Sequence, residues 1–162
     1  MKVITRDEMV KLLANSRIKR RLREELRFTP EEITDWEDRD FLVVTNKSAS
    51  EGVLVVPSTP FQIVPFGLRK RTANNAGRIE AVICDICATW QRGSNSAVIT
   101  FPKESSSVSF LVCADLDCSM HVRDKTPEAK LSRMQLRENI SSNDRKVRLL
   151  SRLVRIVETV TA

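Results

Sequence analysis

Four cysteines constrain this chain more than any other feature. They fall in two close pairs, Cys84 and Cys87 within ICDICATWQRG, and Cys113 and Cys118 within LVCADLDCSMHVR, and no other cysteine occurs in the 162 residues. A C-x2-C pair followed 25 residues later by a C-x4-C pair has the spacing of a tetrahedral zinc site. Zinc favours soft thiolates at about 2.3 Å, and a two-residue gap lets one tight turn present two sulfurs to one ion. Disulfides or unrelated core cysteines are the alternative readings. The opening stretch, MKVITRDEMV, is charged within its first eight residues and has no apolar secretory core, so a cytoplasmic, reducing setting is expected.

Length and composition allow one domain with at most a small appendage. Apolar residues make up 41% of the chain, enough for a core, and the longest apolar runs, such as FLVV and VLVV, are far too short to span a bilayer. The net charge of +6 is unevenly placed. Residues 1–40 carry ten basic and ten acidic side chains, residues 41–121 seven and six, and residues 122–162 ten and five. The surplus is thus in the C-terminal quarter, which suits RNA, a ribosome or an acidic protein patch, or is simply a solvated helix face.

Periodicity predicts an α+β chain: a helical segment over residues 1–40, then a zinc-binding domain over 41–162 with a small antiparallel sheet and C-terminal helices. Thr5-Arg6-Asp7-Glu8 is a capping box that starts a helix carrying Val10, Leu13 and Ala14, with Asn15-Ser16 to end or bend it. Ile18, Leu22 and Leu26 recur every fourth residue among Lys19, Arg20, Arg21 and Arg23, an amphipathic basic stretch. Thr29-Pro30-Glu31-Glu32 reads as a second helix start, ending near Asp38, with Trp36 set to pack on the strand that follows. Phe41–Thr45, Gly52–Pro57, Phe61–Leu68, Ile79–Ile83, Ala97–Phe101 and Val108–Cys113 read as strands, the last two as a hairpin between the cysteine pairs. Thr126-Pro127-Glu128 predicts a helix through Leu131, Met134 and Leu136. A final helix from Ser142 or Asn143 to about Val160 presents two apolar rows, one of Leu149, Leu153, Ile156 and Val160, the other of Val147, Leu150, Val154 and Val157. Together they are expected to form one wide buried face. Arg145, Arg148, Arg152 and Arg155 form a basic ridge opposite.

The chemistry open to such a chain is narrow. Four thiolates close a zinc shell, whereas catalytic zinc keeps a position for water. The zinc deaminase pattern fails, since no histidine precedes Cys84 and Ala81-Val82-Ile83 stand where its proline would be. The single histidine, His121, provides no triad, and none of the four glycines forms a phosphate loop. His121 could replace Cys118 as a ligand, reach a partner, or simply sit after the knuckle. Asp115 and Asp117 read as turn residues rather than an acid–base pair.

With these residues in view, CADLDCSMHVR and the upstream C-x2-C-x2-W resemble the treble-clef domain of the elongation-factor-G-binding proteins. These are the FusB-type fusidic-acid-resistance proteins and their shorter actinobacterial relatives. The likeness is best over Ile79–Asp124 and extends loosely to Asn15-Ser16, Trp36–Val44 and the basic terminal helix. It implies one structural zinc ion held by Cys84, Cys87, Cys113 and Cys118, and a non-enzymatic protein that binds elongation factor G. Resistance-type members help the factor leave the ribosome when fusidic acid has trapped it. This chain has too few N-terminal residues for their full helical bundle and is similar to the short relatives instead. The contact expected from the residues is a basic rim of Arg92, Lys103, His121 and Arg123 around the knuckles. The rival reading is an RNA- or ribosome-binding module in which Arg145, Arg148, Arg152, Arg155 and the Arg17–Arg23 cluster track phosphates, although no run of aromatics offers base stacking.

Overall fold

A computed structural model describes residues 1–127 and 138–162, and within it the chain gathers into two compact units, Met1–Gly67 and Leu68–Ala162. The division falls after Gly67, within a strand.

The first unit opens with helix α1, Arg6–Ala14. Its capping box forms as the sequence predicts: Glu8 N–H donates to Thr5 Oγ1 at 3.2 Å, and Thr5 N–H donates to a Glu8 carboxylate oxygen at 2.8 Å. Asn15 caps its end. Helix α2, Arg20–Glu25, is braced by i,i+4 pairs Arg20–Glu24 and Arg21–Glu25, and Arg21 also reaches Glu51 at 2.6 Å. The basic stretch is therefore partly neutralised by its own helix. The helix expected between Thr29 and Asp38 is instead two single 3-10 turns, Pro30–Glu32 and Trp36–Asp38. Ile33 separates them in an extended conformation and packs on the core, so burial overrides helical continuity. Strands β1 (Leu42–Thr45), β2 (Glu51–Val56) and β3 (Gln62–Lys70) form an antiparallel meander with Val44 opposite Val53 and Leu54 opposite Val64. Leu42 and Val44 point inward by the period-2 alternation of a half-buried strand. They join Ile4, Met9, Ile18, Leu22, Trp36, Val53 and Val55 in one core. Trp36 thus packs where the sequence expected it.

The second unit carries two short strands, β4 (Val82–Ile83) and β5 (Trp90–Gln91), that pair around the first cysteine knuckle. Of the strand expected over Ile79–Ile83, just the last two residues find a ladder, because the partner β5 is itself two residues long. A 3-10 turn, Gly93–Asn95, leads into β6 (Ser96–Pro102), which forms a hairpin with β7 (Ser107–Cys113), Ser96 lying opposite Cys113. Ala97, Ile99 and Phe101 alternate into the interior, and Phe101 meets Phe110 edge-on at 6.1 Å. Helix α3 is one turn, Cys118–His121, and helix α4 runs Ser142–Thr161 behind an N-cap in which Asp144 N–H donates to Ser141 Oγ. The helix expected through Leu131, Met134 and Leu136 lies outside the described residues.

Helix α4 corrects one expectation. Leu149, Leu153, Ile156 and Val157 are buried, but Val147, Leu150 and Val154 are 59%, 40% and 49% exposed. The first row packs, with Val160 half-buried, and Val157 joins it from the second row, whose other three residues face out, so the buried face is narrower than the pattern suggested. No helix among the described residues is long and apolar enough to cross a membrane.

Candidate metal centre

The first knuckle is a tight turn that reverses the chain between β4 and β5. Cys84 N–H donates to Thr89 O at 3.0 Å and Ala88 N–H to Cys84 O at 2.9 Å, with Ala88 in the left-handed region at φ 59°. Asp85 fastens the turn to β7 twice: its N–H donates to Leu111 O, and Leu111 N–H donates to its carboxylate, both at 2.7 Å. From α4, the Arg152 guanidinium donates to Asp85 O at 3.1 Å.

The second knuckle begins at the last residue of β7, Cys113. Ala114 N–H donates to Asn95 O, Leu116 turns left-handed at φ 53°, and Asp115 accepts Asp117 N–H at 3.1 Å. The chain then enters α3 with Cys118 as its first residue. Asp115 is the turn residue the sequence suggests, with further partners described below.

These two turns converge their sulfurs. The thiols of Cys84, Cys87, Cys113 and Cys118 are all free, all buried, and all within 4.8 Å of one another. The Sγ separations are 3.7 Å for Cys84–Cys118, 3.6 Å for Cys87–Cys113 and 3.8 Å for Cys113–Cys118. A regular tetrahedron with metal–sulfur bonds of about 2.3 Å has edges of about 3.8 Å, so these donors fit zinc in number, type and spacing. Bound there, zinc would supply cross-linking of two distant turns; four thiolates leave no coordination position for water or substrate.

The electrostatics of the thiols agree. Burial pushes the Cys113 thiol well above its ordinary range, and the neighbouring sulfurs of Cys113, Cys84 and Cys87 do the same to Cys118. Cys87 is pulled well below it: burial works upward, but hydrogen bonds from the other three thiols and His121 outweigh it. Thiols this close share one charge, and holding four thiolates together requires a cation between them.

His121 is placed differently from the partner-facing reading. It is 4% exposed, with Nδ1 at 3.2 Å from Cys113 Sγ and Nε2 at 3.6 Å from Asp115. Burial opposes its charging, yet Asp115 and Cys87 raise its pKa to about 9. Arg123 is tied to Ser119 O at 2.8 Å, and the Lys103 ammonium donates to Thr159 O at 2.9 Å near the end of α4. Arg92 is half-buried ahead of the Gly93–Asn95 turn. The four residues expected as one basic rim are therefore dispersed in role, and His121 belongs to the sulfur cluster's surroundings.

Three of the four ridge arginines of α4 are likewise engaged. Arg145 is paired with Asp124, Arg148 lies 2.6 Å from Glu138, and Arg152 holds the first knuckle. Sequence reasoning missed Thr89, Gln91, Asn95 and Arg152 as neighbours of the site. No motif marks them, because single polar residues in short turns and one arginine of a helical series have no distinguishing spacing.

Searches of the curated proteins and of the solved structures gave no match. Residues 15–160 match a protein family described as the FBP C-terminal treble-clef zinc-finger, whose character agrees with the mixed helix–sheet fold and the buried four-cysteine cluster. The match covers nearly the whole chain, and the protein belongs to the FBP C-terminal treble-clef zinc-finger family, the FusB-type zinc-binding domain, with one structural zinc ion as its cofactor.

Proposed function

We propose that Cys84, Cys87, Cys113 and Cys118 hold the structural zinc, and that the chain is a non-catalytic protein that binds elongation factor G and promotes its release from the ribosome. The observation that carries the reading is the closed, buried four-sulfur cluster in a chain of this family. Such a site stabilises a surface rather than transforming a substrate. The mechanism is differential affinity: a protein that binds one conformation of the factor more tightly shifts its population by that difference alone.

The contact surface we favour borders the first knuckle. Ile83 and Trp90 are register partners on β4 and β5, both exposed, and exposed Leu111 is hydrogen-bonded to Asp85 of the same knuckle. Tryptophan is among the residues enriched at interface hot spots. Arg92, Lys103 and Arg123 remain candidates for its rim.

The RNA reading has less support. Of the four ridge arginines, Arg145, Arg148 and Arg152 already have intramolecular partners. Phosphate tracking demands cations that can release counterions, with affinity falling steeply as salt rises.

The test is co-sedimentation and calorimetry of the purified chain with elongation factor G at low salt, beside filter binding to ribosomal RNA. Binding to the factor that weakens at least tenfold in Trp90→Ala supports the proposal. No complex with the factor at any salt, together with salt-steep RNA binding, contradicts it.

A further inference from the structure

Behind the four sulfurs lies a chain of hydrogen-bonded polar side chains, in which Asn95 donates to both of its neighbours and every later bond runs on toward the sulfur. It starts at Asp115, between the two cysteines of the second knuckle. Asp115 Oδ1 accepts Asp117 N–H, and Oδ2 accepts the Asn95 side-chain amide at 3.1 Å. That fixes which end of the Asn95 amide is nitrogen. The same nitrogen donates to Gln91 Oε1 at 2.9 Å, which in turn fixes the Gln91 amide. Gln91 Nε2 then donates to Thr89 Oγ1 at 2.8 Å. With that lone pair taken, the Thr89 hydroxyl proton is free to point at Cys87 Sγ, 2.8 Å away. His121 stands alongside, its Nδ1 3.3 Å from Gln91 Nε2 and 3.2 Å from Cys113 Sγ. Thr89, Gln91 and His121 are all buried, so water cannot substitute for a missing partner.

We infer that Asp115 is a positioning residue for the metal site. Through Asn95 and Gln91 it orients the Thr89 hydroxyl as a donor to Cys87, and this relay slows loss of the metal from the first knuckle. Two amides, Gln91 buried and Asn95 half-buried, could each sit either way round, and a carboxylate that accepts alone selects one arrangement for both. A donor on a metal-bound thiolate holds its sulfur in place and disperses its charge, and outer hydrogen bonds of this kind change metal affinity by about 10- to 100-fold. The inference rests on the four-cysteine zinc site and goes beyond it, because a turn role for Asp115 needs its Oδ1 alone.

The experiment separates these roles. Asp115→Asn keeps an oxygen for Asp117 N–H but turns an amide N–H toward the Asn95 amide, so the turn survives and the relay is broken. Thr89→Val removes the last donor at constant shape, and Thr89→Ser retains it. Zinc transfer from the full chain to a colorimetric chelator is timed, and the charge-transfer bands of the cobalt-substituted protein are recorded. The relay predicts transfer at least tenfold faster in Thr89→Val and in Asp115→Asn, with no further gain in the double variant. It also predicts a shifted sulfur-to-cobalt band in each, and parental behaviour in Thr89→Ser. Parental rates and bands in Thr89→Val, in a protein that still binds one metal, would overturn the relay and leave the zinc site standing. If Asp115→Asn does not fold, the Thr89→Val and Thr89→Ser pair decides alone. A parent chain that binds no metal would instead remove the site itself.

Discussion

Gly93 is the position where a single methyl group should do most damage. It opens the turn between β5 and β6 and is buried. A Cβ there would lie 2.0 Å from Ile79 O, 2.4 Å from Ile79 C and 2.7 Å from Ile79 Cβ. Ordinary contact begins at 3.4 Å, so the two segments would have to part by 1.4 Å. The obstacle is main chain, which cannot swing aside as a side-chain tip can. Overpacking costs about 1–3 kcal/mol in general, and a clash between two backbones belongs at or above the upper end. For Gly93→Ala we expect a loss of about 3 kcal/mol, more than a hundredfold in the folding equilibrium. The displacement also bears on the metal site, since Asn95 follows two residues later and Ser96 Oγ donates to Gly93 O. Tryptophan fluorescence offers a direct assay, because Trp36 lies in the first unit and Trp90 in the second. In a Trp36→Phe background, emission reports Trp90, three residues from the substitution. With a urea slope of about 2 kcal/mol/M, the midpoint should fall by about 1.5 M. Gly67→Ala serves as the counter-case: its nearest neighbour would be Ser50 O at 3.9 Å, and stability should stay within about 0.5 kcal/mol of the parent. A Gly93→Ala midpoint indistinguishable from the parent would refute the reasoning.

Other expectations can be tested on the same material. Leu153→Ala removes a fully buried side chain from α4 and should cost about 2–5 kcal/mol by denaturation, whereas exposed Val154→Ala should change stability by no more than about 0.5 kcal/mol. Equal losses would contradict the assignment of the two helix faces. Thr5→Ala removes the hydroxyl of the α1 capping box and should cost about 1 kcal/mol, read from the first unit's unfolding through Trp36. Zinc uptake should release protons at pH 7. The metal-free Cys113 and Cys118 thiols have raised pKa values, so they still hold protons there, and a metal that binds thiolates must displace them. Affinity should therefore rise with pH through the neutral range and fall on acidification. Calorimetry in buffers of different ionisation enthalpy measures the release, and a buffer-independent heat would count against thiolate ligation.

Much of this architecture is legible in the sequence because its signals are local. The Thr5–Glu8 capping box, the Asn15 cap and the start of α4 are set by a few neighbouring residues. Six strands can be read from β-branched runs between turn residues, the one before the first knuckle only in its last two residues. The two cysteine pairs identify the metal centre because thiol spacing is itself the geometry. What the sequence hides is decided by distant partners. Ile33 breaks a short helix to reach a core built from other segments. The α4 pattern shows two apolar rows, but which of their residues pack depends on what lies against the helix. The arginine ridge looks free until Asp124, Glu138 and the Asp85 carbonyl meet it. His121 likewise carries no signal of burial; its position follows from the α3 turn that Cys118 begins.

The most direct test of the central claim is metal analysis of the purified chain combined with hydrogen exchange before and after chelation. One zinc per chain, lost in Cys84→Ser, with amides across residues 82–122 losing protection when the metal is withdrawn, is the predicted result. A metal-free chain with those amides equally protected would show that the two knuckles stand without an ion, and would contradict the account.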